Sequence, residues 1–90
     1  MRVIYKYTLK AGVTTLNMPQ GAQVLTVQTQ NENACLWALL DPSKPTEVRT
    51  FHMYGTGHRI DNLNLVYIGT FQLEHGVLVF HVFEQEKELG

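Results

Sequence analysis

One cysteine, Cys35, is all the thiol chemistry this chain carries. No intrachain disulfide can form, which excludes the stapled framework of small secreted proteins and leads us to expect a cytoplasmic setting. Charge is also scarce: seven Lys and Arg stand against eight Asp and Glu, a formal net charge of −1. There is no global basic field to hold nucleic acid, only a local patch through Arg49, His52, His58 and Arg59. No apolar run approaches the ~18 residues of a membrane-crossing helix, and no charged-then-apolar leader pattern is seen. The longest apolar stretches, Ala34–Leu40 and Val77–Phe83, have strand length. No window repeats apolar residues at helical spacing. Metal-ligand spacings such as H-x-H, H-E-x-x-H and C-x-x-C are missing, so no metal site and no cofactor are expected.

What is present alternates. In the segment 2–10, Val3, Tyr5, Tyr7 and Leu9 share one side against Arg2, Lys6, Thr8 and Lys10, the pattern of a half-exposed strand. Strands are likewise expected at 14–18, 23–30, 34–40, 47–54, 65–73 and 77–83. Leu25, Val27 and Thr29 are read on one face of the third, and Leu65, Tyr67, Phe71 and Leu73 on one face of the sixth, with Gly69 between as a bulge or close approach. Asn31-Glu32-Asn33, Asp41-Pro42-Ser43-Lys44-Pro45 and Glu74-His75-Gly76 are turns. Residues 84–90 form a charged end, frayed or briefly helical. The ninety residues thus predict one all-β domain, an antiparallel meander of six to seven short strands forming a compact barrel or sandwich.

Two strands are apolar on both sides. In the fourth, Cys35, Trp37 and Leu39 oppose Leu36, Ala38 and Leu40; in the last, Val77, Val79, His81 and Phe83 oppose Leu78, Phe80 and Val82. A single small sheet cannot cover both sides of two such strands; a two-layer core with a covering loop would do so, and the favoured expectation is a homo-oligomer that buries the second side.

Chemistry concentrates in one loop, Tyr54-Gly55-Thr56-Gly57-His58-Arg59-Ile60-Asp61. Backbone N–H groups around paired glycines can form a concave anion site. Thr56 adds a hydroxyl, His58 a charge-tunable donor and Arg59 a two-pronged one. Tyr54 or Trp37 is a candidate to stack on a base. The spacing is neither a P-loop nor a dinucleotide fingerprint. The plain alternative is a tight turn whose glycines supply positive φ and whose Asp61 caps the next bend. Cys35 reads as an inert core thiol and His81 as a hydrogen-bonded core or interface histidine, so no catalytic residues are expected.

The chain resembles a family of small uncharacterised phage and prophage proteins, a domain of unknown function. The likeness rests on Ile4-Tyr5-Lys6-Tyr7, Met18-Pro19-Gln20-Gly21-Ala22, Leu36-Trp37-Ala38-Leu39, Asp41-Pro42, Tyr54-Gly55-Thr56-Gly57-His58, Tyr67-Ile68-Gly69-Thr70-Phe71-Gln72 and Val79-Phe80-His81-Val82-Phe83-Glu84. Similar sequences often carry proline after the loop histidine, so a role for Arg59 is particular to this chain. The resemblance implies a phage context, in the cytoplasm of an infected or lysogenic host, and no established activity. The expected function is a non-enzymatic binding module holding an anionic small molecule, a nucleotide in particular, at Tyr54, Gly55, Thr56, Gly57, His58, Arg59 and Trp37. Its use would be sequestration of a host signal or counter-defence. The alternatives are a protein-interaction or structural role, with a host protein as partner and the loop only a turn, and a phosphoester-acting enzyme using His58. Membrane and nucleic-acid partners are not expected.

Overall fold

The stretches that alternate with period two are strands in the structure, a computed structural model that describes residues 1–87. In chain order they are β1 (Val3–Thr8), β2 (Gly12–Pro19), β3 (Gln23–Gln30), β4 (Asn33–Leu40), β5 (Thr46–Gly55), β6 (Leu65–Leu73) and β7 (Leu78–Gln85), with a 3-10 turn over Glu74–Gly76. All pairings are antiparallel. They make two sheets, ordered β1-β4-β3 and β2-β5-β7-β6. The architecture is a sandwich and not a closed barrel. Only β3–β4 and β6–β7 are hairpins between chain neighbours, and elsewhere the chain changes sheets or skips a strand. The charged end begins later than the sequence implies, because Glu84 and Gln85 belong to β7; residues 88–90 of that end lie outside the described residues. Among the described residues no helix is long and apolar enough to cross a membrane.

The turns are built as their composition demands. β3 and β4 pair up to Gln30 and Asn33, so Asn31 and Glu32 alone make the reversal, both with positive φ (52° and 63°). That is the conformation a two-residue hairpin needs to match the strand twist. Positive φ also runs through Glu74, His75 and Gly76 between β6 and β7.

Leu36, Ala38 and Leu40 of β4 are buried on the inner side with Met18, Phe51, Phe71 and Val82 of the other sheet. Inward residues from both sheets thus form one core, as sandwiches require. Two bulges set which side chains reach it. The register of β6 slips between Tyr67 and Gly69, which throws Ile68 out of step. Phe71 faces the core, while Tyr67 and Thr70 both stand on the outer surface. The expectation that Leu65, Tyr67, Phe71 and Leu73 share a face is therefore corrected: an extra residue in a period-two strand reverses everything after it. β3 does the same between Val24 and Thr26, placing Val24 and Val27 inward and leaving Leu25 exposed.

One two-pronged ion pair ties the inner side together. Arg49 donates from Nε and Nη2 to both oxygens of Glu84 at 2.6 and 2.7 Å, and from Nη1 to the carbonyl of Ala22, just before β3. The two side chains are only 11 % and 17 % exposed. Hydrogen bonding to Glu84 holds the Arg49 guanidinium above its ordinary pKa against the desolvation that works the other way. A fork matched to a carboxylate is the geometry in which a mostly buried pair recovers its desolvation cost.

β3 and β6 run beside each other without pairing, and Gly69 is what allows it. A Cβ at position 69 would fall 2.8 Å from Val27 Cγ2, and a β-branched valine has little freedom to yield. Gly69→Ala is expected to destabilise the fold by about 1–3 kcal/mol, read as a lower urea midpoint. In combination with Val27→Ala the two changes should cost less than their sum; strict additivity would show that the close approach is absent.

Candidate functional site

Residues 56–64 leave β5 at one end of the four-stranded sheet and enter β6 at the other. Gly55 pairs opposite Phe80, Leu65 opposite Gln85, and β7 lies between. The inner side is filled by the core, so this connection crosses β7 on the outer surface. Two side-chain contacts mark its route: Thr56 Oγ1 with His81 Nε2 at 2.7 Å, and Asn62 Nδ2 donating to Gln85 Oε1 at 2.7 Å.

The connection opens with a tight turn. The His58 N–H donates to the Gly55 carbonyl at 3.0 Å, and Gly57 sits at φ +89°, where a β-turn of this kind calls for glycine. The His58 ring folds back over Gly55, whose N–H donates to Nδ1 at 3.1 Å. A Cβ on residue 55 would lie 2.8 Å from His58 Cε1, so Gly55 is needed for space and Gly57 for its dihedral. The Thr56 N–H donates to the Val79 carbonyl at 3.1 Å. Two of the amides expected to converge on an anion, those of Gly55 and Thr56, are thus already spent inside the protein. In return the turn fixes a tautomer. Because Nδ1 accepts, the neutral His58 ring carries its proton on Nε2, which makes no hydrogen bond among the described residues.

The remaining candidates are dispersed. Arg59 Nε donates to Asp61 Oδ1 at 2.7 Å, in an ion pair 86 % and 74 % exposed; Asp61 serves Arg59 in this way, where the sequence suggested a cap. Such a pair is worth little to stability and yields readily to another anion. Tyr54 stands on the outer surface of β5, its ring parallel to His52 at 6.1 Å and edge-on to Phe83. Trp37 is not brought to the loop: it lies on β4 in the other sheet, across from Lys6 and Thr26. The sequence reading passed over Thr70 and Tyr67. Thr70 Oγ1 meets His81 Nδ1 at 2.9 Å and Tyr67 OH at 2.6 Å, so both ring nitrogens of His81 are engaged. The missing signal was register, since Thr70 pairs opposite His81 only because of the bulge.

Beside the turn lies a groove of about 340 Å³, lined by Gly55, Thr56 and His58 together with Val77–Phe80. This falls within the size range of small-molecule sites. Hollows of about 460 Å³ occur between β3 and β6 and beside residues 84–87, but neither is lined by a histidine. Among the described residues no cluster of three or more His, Cys, Asp or Glu side chains is placed to hold a metal ion.

One family model, described as a domain of unknown function (DUF7352), matches residues 1–89. The chain belongs to the DUF7352 family. No curated protein and no solved structure matches it. At this groove the domain sets the His58 ring, its Nδ1 taken by the Gly55 N–H, beside apolar side chains.

At alkaline pH the neutral His58 is expected to show the Nε2–H tautomer almost exclusively in long-range ¹H–¹⁵N spectra, and Gly55→Ala should reduce that preference toward the modest Nε2–H excess of a free imidazole by displacing the ring. A dominant Nδ1–H form in the unaltered protein would contradict the turn geometry. Gly57→Ala should cost about 1 kcal/mol for its left-handed dihedral, measured by urea unfolding.

Proposed function

We propose that this DUF7352 domain is a non-enzymatic binding module that holds a small anionic molecule, a nucleotide in the first instance, in the groove beside Gly55–His58. The observation that carries the reading is the orientation of His58: its Nδ1 is occupied by the Gly55 N–H, so Nε2–H is available at the rim of an apolar groove. A phosphate oxygen would accept from His58 Nε2, with the Gly57 N–H and the weakly paired Arg59 adding donors. The base or other apolar portion would pack against Val77, Val79 and Phe80. The phage-like sequence character supports one use for such a module, sequestration of a host nucleotide signal in the cytoplasm of an infected cell. Thr56 is bonded to His81 and so supports the turn; it is assigned no reaction.

Calorimetry against cyclic and linear nucleotides tests the proposal. Binding is expected in the unaltered protein, and His58→Ala should weaken it by about 10-fold or more, the worth of a hydrogen bond to a charged group. Ligand recovered after denaturation should be chemically unchanged, whereas turnover would favour a phosphoester-acting enzyme. Absence of heat with every nucleotide at tens of micromolar protein would sink the nucleotide reading.

A further inference from the structure

Two sheets have four edge strands, and three of the four edges in this protein are guarded. β3 and β6 lie against each other, each bent by a bulge. β1 is guarded by charge, with Lys6 in the middle of the strand and Arg2 just before its start. β2 has no such guard. Its eight residues, Gly-Val-Thr-Thr-Leu-Asn-Met-Pro, include no charged side chain, and its pairing to β5 runs unbroken from Gly12 to Pro19. Its only proline is the last residue. An exposed strand edge presents a row of unpaired N–H and C=O groups, and proteins that remain single ordinarily blunt it with charge, bulges or proline.

We propose that β2 is the dimer edge of this protein: two copies pair β2 to β2 in antiparallel fashion about a two-fold axis, joining their four-stranded sheets into one of eight strands. Antiparallel pairing of a strand with itself is isologous, the same residues serving both sides. The sequence suits it, because an uncharged strand meets no like charge when it faces its own copy. Nor does β2 offer charge to attract a differently charged partner. Pro19 has no N–H to give the ladder, which places the pairing toward the other residues and centres it near Thr15. There Thr15 of the two copies lie side by side and Val13 of each comes opposite Asn17 of the other.

The surroundings of the edge agree. Val13 of β2 and Val48, which lies one strand in opposite Asn17, stand on the outer surface 56 % and 63 % exposed. All charged side chains of the four strands (Glu47, Arg49 and Glu84) share the inner side by register, Glu47 opposite Met18 and Glu84 opposite Phe51. The surface adjoining the edge therefore carries apolar, hydroxyl and amide side chains and the His52 ring, with no Lys, Arg, Asp or Glu up to the axis. Joining two copies extends that surface with no charge to desolvate. The inference does not depend on any ligand, and it stands or falls separately from the nucleotide reading.

Sedimentation of the full chain tests it, with a dimer expected in the unaltered protein. Thr15→Lys sets two ammonium groups side by side at the axis and should raise the dissociation constant at least about tenfold. Circular dichroism and the unfolding midpoint of the Lys variant check that each subunit stays folded. Thr15→Cys, under mild oxidation, should form a disulfide between copies, since residues paired across antiparallel strands have Cα atoms ~4.5–5.5 Å apart, within disulfide reach. The native Cys35 is buried and does not compete. Ile4→Cys on β1 should give no such link. A monomer at hundreds of micromolar, a Lys variant that remains fully dimeric, or crosslinking through position 4 and not 15 would each overturn the β2 edge. A monomer that captures extended peptides along β2 would also overturn it, assigning the edge to another partner.

Discussion

The inner side of the four-stranded sheet is full, and that constraint decides where the loop between β5 and β6 can go. β5 and β6 run parallel with β7 between them, so the chain from Gly55 to Leu65 must travel the length of β7. Phe51, Phe71 and Val82 occupy the inner side at 5 % exposure or less, which leaves only the outer route. Everything distinctive about the loop follows from that crossing. Thr56 meets His81, Asn62 meets Gln85, and the turn at Gly55–His58 is the corner where the strand ends and the crossing begins.

The bulge at Ile68 extends the argument to the floor under the loop. Without it, Thr70 would point into the core and Phe71 outward. One extra residue exchanges them, burying Phe71 at 5 % exposure and delivering Thr70 to His81 Nδ1. The same slip places Gly69 on the inner side, against Val27 of β3. Thus one irregularity sets the core, the approach of the two sheets and the polar chain Thr56–His81–Thr70–Tyr67. Bulges act as devices of this kind wherever a side chain must be re-aimed.

These relations explain which features could be read from the sequence. Strand positions were legible because burial on one side imposes period two, and β3, β4 and β6 begin and end within a residue of the pattern. Turns were legible from asparagine, glycine and proline. The faces of β3 and β6 beyond their bulges were not, since a single unpaired residue has no local signature and reverses all that follow. The loop was found by composition, but composition cannot show that its amides bond inward. Trp37 was grouped with it on chemistry alone, and sheet order separates them, because β4 is the central strand of the other sheet. The Arg49–Glu84 tie was likewise invisible: thirty-five residues separate the partners in sequence, and only the β5–β7 pairing brings them together.

The placement of charge bears on what the outer surface can recognise. Most antiparallel sheets turn their charged side chains to water and their apolar ones inward. Here the charged residues of the four-stranded sheet, Glu47 and Arg49 of β5 and Glu84 of β7, lie inward, two of them neutralised as the Arg49–Glu84 pair. The outer surface is left with rings, hydroxyls and amides. Such a surface gives stacking and hydrogen bonds but little long-range attraction. Any electrostatic hold on a ligand must come from the crossing loop, where His58 and Arg59 are adjacent in sequence. A ligand with one anionic end and one flat or apolar end would therefore be oriented by the protein, its charge toward the loop corner and its body along Val77–Phe80. A uniformly charged polymer would find no such gradient to follow. This asymmetry favours a small amphiphilic ligand over nucleic acid as the occupant of the groove.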